Sequence, residues 1–145
     1  MTRILTLYDI AEENGIAVES YGMTGFESLS VMDSDGDCFI GIDPMQLKNS
    51  DDERMKLAHE LGHCLTGAFY SRYTPLVTKE ICERRAYHWA IKKLVTKDEL
   101  IYELENGDTQ IWNLAEHFGV SEEMIRDAIV YYDIQNPWYS REIII

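Results

Sequence analysis

At 145 residues the chain has the length of one domain, or of one domain carrying a small appendage. That is enough to hide roughly 70% of the unfolded surface without disulfide staples. Apolar residues at 46% and charged residues at 27% exclude disorder, collagen-like repeats and coiled coil as the main architecture. Thirteen Lys and Arg against 26 Asp and Glu give a net charge of −13, which argues against a chain whose main work is gripping phosphate backbones. An acidic surface is compatible with a basic protein partner, but solubility alone is the favoured explanation.

Cys38, Cys64 and Cys82 are odd in number and contain no C-x-x-C pair. They offer neither a disulfide framework nor a four-cysteine zinc site, so reduced thiols in a cytoplasmic protein are expected. The N-terminus, MTRILTLYDIAEENG, has no long apolar run or small-residue cleavage site, so it is not expected to act as a secretory signal, and no stretch approaches the ~20 apolar residues that a membrane span needs.

In chain order, Ile4, Leu7, Tyr8 and Ala11 have helical spacing and Asn14-Gly15 makes a stop, predicting a helix over 4–14. From residue 16 to 43 short apolar pieces (IAVESY, ESLSVM, DCFIGI) alternate with glycines, which reads as two or three antiparallel strands with a hairpin turn at 34–37. Asp33, Asp35 and Asp37 lack the spacing of an EF-hand loop and read as turn residues. Ser50 and Glu53 form a capping box for a helix whose apolar stripe is Leu57, Leu61 and Leu65. Thr78 is placed to cap a second long helix over 79–95, and Thr96 with Glu99 a short one ending near Asn106-Gly107. Two further helices, 109–118 and 121–133, flank Gly119, with Ser121 as N-cap of the second. The terminal Ile143, Ile144 and Ile145 have no assigned role.

His59-Glu60-Leu61-Gly62-His63 is an H-E-x-x-H motif inside the helix that follows Ser50. Residues i and i+4 share a helix face, so both imidazoles reach one ion. Glu60 is rotated about 100° from His59 and stands beside the ion, where its carboxylate takes a proton from zinc-activated water. Chance placement of this composition yields on the order of 0.01 such matches. Leu61 points into the core, and Gly62 leaves room for something to pass close to the helix.

Catalytic zinc takes three protein ligands and an open fourth position. Glu83 lies 20 residues beyond His63, enough for a loop and an antiparallel helix to bring it back. Glu80, three residues earlier on the same face, is the rival. His88 lies about 140° around the helix from Glu83 and does not easily share that ion. A second donor should stabilise the oxyanion of the attacked carbonyl. Tyr70, Tyr73, Tyr87 and His88 are the candidates, and spacing does not choose among them. Cys64 is read as a core residue.

The HELGH helix, followed by Glu83-Arg-Arg-Ala86, Trp89-Ala90 and Leu94-Val95, resembles the ImmA/IrrE family of phage- and mobile-element-associated metallopeptidases. That family's pattern is H-E-L-G-H, then E-x-x-A-N-x-F-A-x-x-L-L, ahead of a helix-turn-helix region, and the resemblance covers roughly residues 35–130. The spacing from His63 to Glu83 is also similar to that of thermolysin-like zincins. The resemblance implies His59, His63 and Glu83 as zinc ligands and Glu60 as general base. Tyr87 stands in place of the usual Asn, Trp89 in place of Phe, Lys93 in place of the first Leu, and the following Pro is absent. The implied fold is α+β and zincin-like, a small antiparallel sheet beside the HExxH helix. Residues 1–95 would form the metallopeptidase core, and the helices of 96–145 would pack on it. The implied activity is a zinc endopeptidase of narrow specificity that cleaves a phage-type helix-turn-helix repressor.

Residues 109–133 have the pattern of a helix-turn-helix. Residues 96–145, however, hold three basic side chains against eleven acidic ones, a surface that repels a phosphate backbone. Direct DNA binding is therefore the weakest reading. A catalytically inactive zinc-containing module that docks a protein partner stands between it and the peptidase.

Overall fold

The computed structural model describes residues 3–23, 25–106 and 110–134. It is α+β, with three strands and six helices among the described residues. The chain divides into two compact units, Met1–Ala90 and Ile91–Ile145.

In the first unit α1 (Arg3–Glu13) buries Leu7 and Ala11. The Tyr8 hydroxyl donates to Glu53 Oε1 at 3.0 Å; burial, then that hydrogen bond, pushes the phenol up to about 12. Three strands follow: β1 (Ala17–Ser20), β2 (Ser28–Met32) and β3 (Cys38–Ile42). β2 and β3 form the expected hairpin, with Ser28 opposite Ile42 and Met32 opposite Cys38. The Asp33 carboxylate closes its turn by accepting from the Asp35 and Asp37 N–H groups.

The expectation of an antiparallel sheet needs correction, because the sheet is mixed. Its order is β1-β3-β2, and β1 runs parallel to the central β3. The chain leaving β1 passes the end of β3 before returning as β2, so the direction reverses on the far side. That connection is held at both ends: Tyr21 N–H bonds Ile42 O, and Asp43 N–H bonds Glu27 O. The Asp43 carboxylate accepts from Met23 N–H, and the Gln46 amide donates to Met23 O and Phe26 O. Tyr21 lies over Gly41, where an added Cβ would come within 2.7 Å of its hydroxyl.

The helix carrying the motif is α2 (Ser50–Thr66). Its N-cap is Asn49, one residue before the expected Ser50, and the Asn49 side chain accepts from Asp52 N–H. Asn is as good a cap as Ser, and an Asp three residues on does not complete a Ser/Glu box. Leu57, Ala58 and Leu61 are fully buried, whereas Leu65 is at the exposed margin of the stripe. Gly67 ends the helix in the left-handed conformation (φ 68°), its N–H bonded to His63 O.

The next helix, α3 (Leu76–Leu94), starts three residues before the expected entry at 79, directly after Pro75. Proline is well suited to a helix entry because its missing N–H has no helical partner there. Gly62 faces it: a Cβ at Gly62 would lie 2.5 Å from Ala86 O. What passes close to α2 is therefore the backbone of α3.

The cysteine expectation also needs correction. Cys38 on β3 and Cys64 on α2 form a disulfide across 26 residues of sequence, and buried Cys82 is the free thiol. Cys64 is thus a cross-link rather than a plain core residue. The two cysteines sit on different elements, and no local spacing announces the pair.

In the second unit, α4 (Lys97–Asn106), α5 (Ile111–Phe118) and α6 (Glu122–Tyr131) follow the expected order. Gly119 (φ 66°) caps α5, and Ser121 caps α6 by accepting from Met124 N–H. Tyr132 donates to Val95 O at 2.7 Å. No described helix is long and apolar enough to cross a membrane. The expectation concerning Ile143, Ile144 and Ile145 lies outside the described residues.

Candidate metal centre and active cleft

α2 presents His59 and His63 one turn apart, their rings meeting edge to face with centroids 4.9 Å apart. α3 passes against α2, with Ala86 facing Gly62, and brings Glu83 to both. His59 Nε2 lies 2.8 Å from Glu83 Oε2, and His63 Nε2 lies 3.2 Å from Glu83 Oε1. One donor atom from each of the three lies within 4.8 Å of the others. Tetrahedral zinc with bonds near 2.05 Å separates its ligands by about 3.3 Å, so the donor set fits a divalent ion with little adjustment. Glu80 is exposed on α3 and outside this group.

The surroundings also suit a metal. His63 Nδ1 bonds Ala68 O at 2.5 Å, which turns Nε2 toward the cluster. The Tyr70 hydroxyl donates to Glu83 Oε1 at 2.6 Å. That bond, with burial second, pushes the Tyr70 phenol up to about 12. Burial on its own would raise the Glu83 carboxyl. The hydrogen bonds from Tyr70 and His59 and the nearness of both imidazoles outweigh it, and the carboxyl is held below its ordinary range. Glu83 is therefore ready to act as an anionic ligand.

Glu60 is buried beside the cluster. Its two oxygens accept from two hydroxyls of β2: Ser28 to Oε2 at 2.6 Å and Ser30 to Oε1 at 2.7 Å. Sequence reasoning missed both serines. The signal was present in Ser28-Leu29-Ser30, two hydroxyls at period two in a strand otherwise rich in apolar residues.

A cleft of about 330 Å³ opens over these groups. Ser28, Leu29 and Ser30 of β2 form one wall, Phe26, Phe69 and Tyr70 contribute aromatic surface, and the two histidines with Glu60 and Glu83 line the rest. Of the four oxyanion candidates Tyr70 lines this cleft. Tyr73 is exposed and accepts from Arg72 at 2.7 Å. Tyr87 and His88 are half-buried on α3 and outside the cleft lining.

Residues 19–129 match the family described as the IrrE N-terminal-like domain, Peptidase M78. The chain belongs to this ImmA/IrrE peptidase family. ImmA/IrrE-type proteins of this family are metallopeptidases, in keeping with a three-donor cluster able to hold a metal. The M78 match begins upstream of residue 35, where the resemblance in the motifs began, and so takes in β2 with Ser28 and Ser30. A search of curated proteins finds no match to the chain.

Proposed function

We propose that the chain is a zinc-dependent endopeptidase of narrow specificity whose substrate is a phage-type repressor with its own helix-turn-helix. The observation that carries this reading is the convergence of His59, His63 and Glu83 in an open cleft with the Glu60 carboxylate beside them.

His59, His63 and Glu83 would hold the ion. Zinc bound there supplies Lewis acidity, polarising a peptide carbonyl and making water acidic enough to lose a proton near neutral pH. The chain supplies the rest. Glu60 accepts the proton of the attacking water and delivers it to the leaving amine. Tyr70 restrains Glu83 through its hydrogen bond. β2 is an edge strand of the sheet and walls the cleft, so an extended substrate segment can pair alongside it. That geometry favours a peptide bond in an unfolded or looped segment over one inside a helix.

The test is incubation of the zinc-loaded chain with purified helix-turn-helix repressors, looking for zinc-dependent fragments. Glu60→Gln should abolish cleavage while one zinc per chain remains bound. A Glu60→Gln variant that cleaves at the full rate would remove Glu60 from the mechanism.

A further inference from the structure

We infer that Ser28 and Ser30 form a two-hydroxyl cradle that positions the Glu60 carboxylate for proton transfer. The inference rests on the general-base reading of Glu60 and adds two positioning residues on a separate element.

Ser28 and Ser30 occupy alternate positions of β2 and so share one face of the sheet. Their partners in the ladder, Ile42 and Ile40, are buried in the core. At such a seam between sheet and helix, apolar side chains are the default, and a hydroxyl is costly unless it is hydrogen-bonded. Both serines give their proton to the same carboxylate, one to each oxygen. Distances of 2.6 and 2.7 Å are those of well-formed hydroxyl hydrogen bonds.

Two bonds do what one cannot. A glutamate has three rotatable side-chain torsions, and its terminal torsion is broad. A single hydroxyl would leave the carboxylate free to pivot about the bonded oxygen, whereas two hydroxyls from a fixed strand set its plane. An ionised carboxylate has about four lone-pair sites. The serines take one on each oxygen, leaving acceptor capacity for a water proton. The buried carboxylate is thereby satisfied and held without being saturated.

The experiment has two arms, both on the zinc-loaded full chain. In the kinetic arm, Ser28→Ala/Ser30→Ala should lower kcat about tenfold or more, with KM within about twofold and zinc content unchanged. Ser28→Thr/Ser30→Thr, which restores both hydroxyls, should return kcat to within about threefold of wild type. In the stability arm, the double alanine variant should lower the urea midpoint in the wild-type background, and the shift should shrink or vanish when Glu60 is already alanine. No coupling in urea overturns the cradle. Coupling with an undiminished kcat, while Glu60→Gln is inactive, overturns its positioning role. A wild type that cleaves no repressor, or a Glu60→Gln variant as fast as wild type, overturns the general-base reading and the positioning role with it, whatever the urea arm reads.

Discussion

Substituting Gly62 by alanine sets two effects of opposite sign against each other. Replacing glycine by alanine inside a helix normally stabilises by about 0.5–1 kcal/mol, because glycine loses more backbone freedom on folding. Here the new methyl would lie 2.5 Å from Ala86 O and 2.9 Å from Ala86 Cα. Both obstacles are backbone atoms of α3, which cannot swing aside like a side-chain tip. Reaching ordinary contact near 3.4 Å requires α3 to retreat by about 0.9 Å, an overpacking that costs about 1–3 kcal/mol. The overpacking wins, and Gly62→Ala should destabilise the chain by about 1 to 2 kcal/mol net. Glu83 is three residues before Ala86, one turn along the same face of α3, so the retreat carries its carboxylate away from both histidines. A displacement near 1 Å is worth about 100-fold in a positioned reaction; for metal affinity, a loss of about 10–100-fold is expected. Chelator competition with zinc or cobalt measures the affinity, and urea unfolding of the metal-free chain measures the stability. A Gly62→Ala variant that binds metal as tightly as wild type and unfolds at the same or higher urea would refute the close-approach argument.

Tyr70→Phe removes the hydroxyl that restrains Glu83 and should weaken metal binding by about 10–100-fold, read by the same chelator competition. Thiol titration of the denatured, unreduced chain should count one reactive group, Cys82, and three after reduction. Reduction should also lower stability by about 2–4 kcal/mol through the released chain entropy; a count of three before reduction would contradict the cross-link. In alkaline titration of the metal-free chain followed at 295 nm, Tyr8, Tyr70 and Tyr132 should ionise near pH 12, above the pH 10 of a free phenol. Because these phenols are raised in the folded state, the stability they contribute is fully present below about pH 10. It is lost as pH climbs through about 12.

The parts of the site that a reader of the sequence can reach are those written in local periodicity. His59, Glu60 and His63 announce themselves because helical geometry converts four-residue spacing into a shared face. Glu83 is reachable because a loop and an antiparallel helix are the shortest way to supply a third ligand, although Glu80 competes until the register of α3 is known. The Ser28-Ser30 pair is harder. Alternation says which residues share a sheet face, but not which helix residue lies across from them. The parallel placement of β1 is invisible for a related reason: period two marks a strand and carries no direction. The bond between Cys38 and Cys64 joins elements 26 residues apart, and an odd cysteine count pointed the other way. Helix entries slipped by one residue at Asn49 and by three at Pro75, because Asn and Pro start helices as well as the expected Ser50 and Thr78.

The way α2 stops has a consequence for how this protein can vary. The carbonyl of His63 is tied to Gly67 N–H, and its ring nitrogen to Ala68 O. One short turn thus terminates the helix and also fixes the tautomer and aim of an imidazole in the candidate metal centre. A side chain at residue 67 would have to accept a left-handed backbone, and any drift of that turn would rotate the ring with it. Insertions just ahead of α3 should leave the centre intact, whereas a single added residue between His63 and Ala68 should silence it while sparing every ligand.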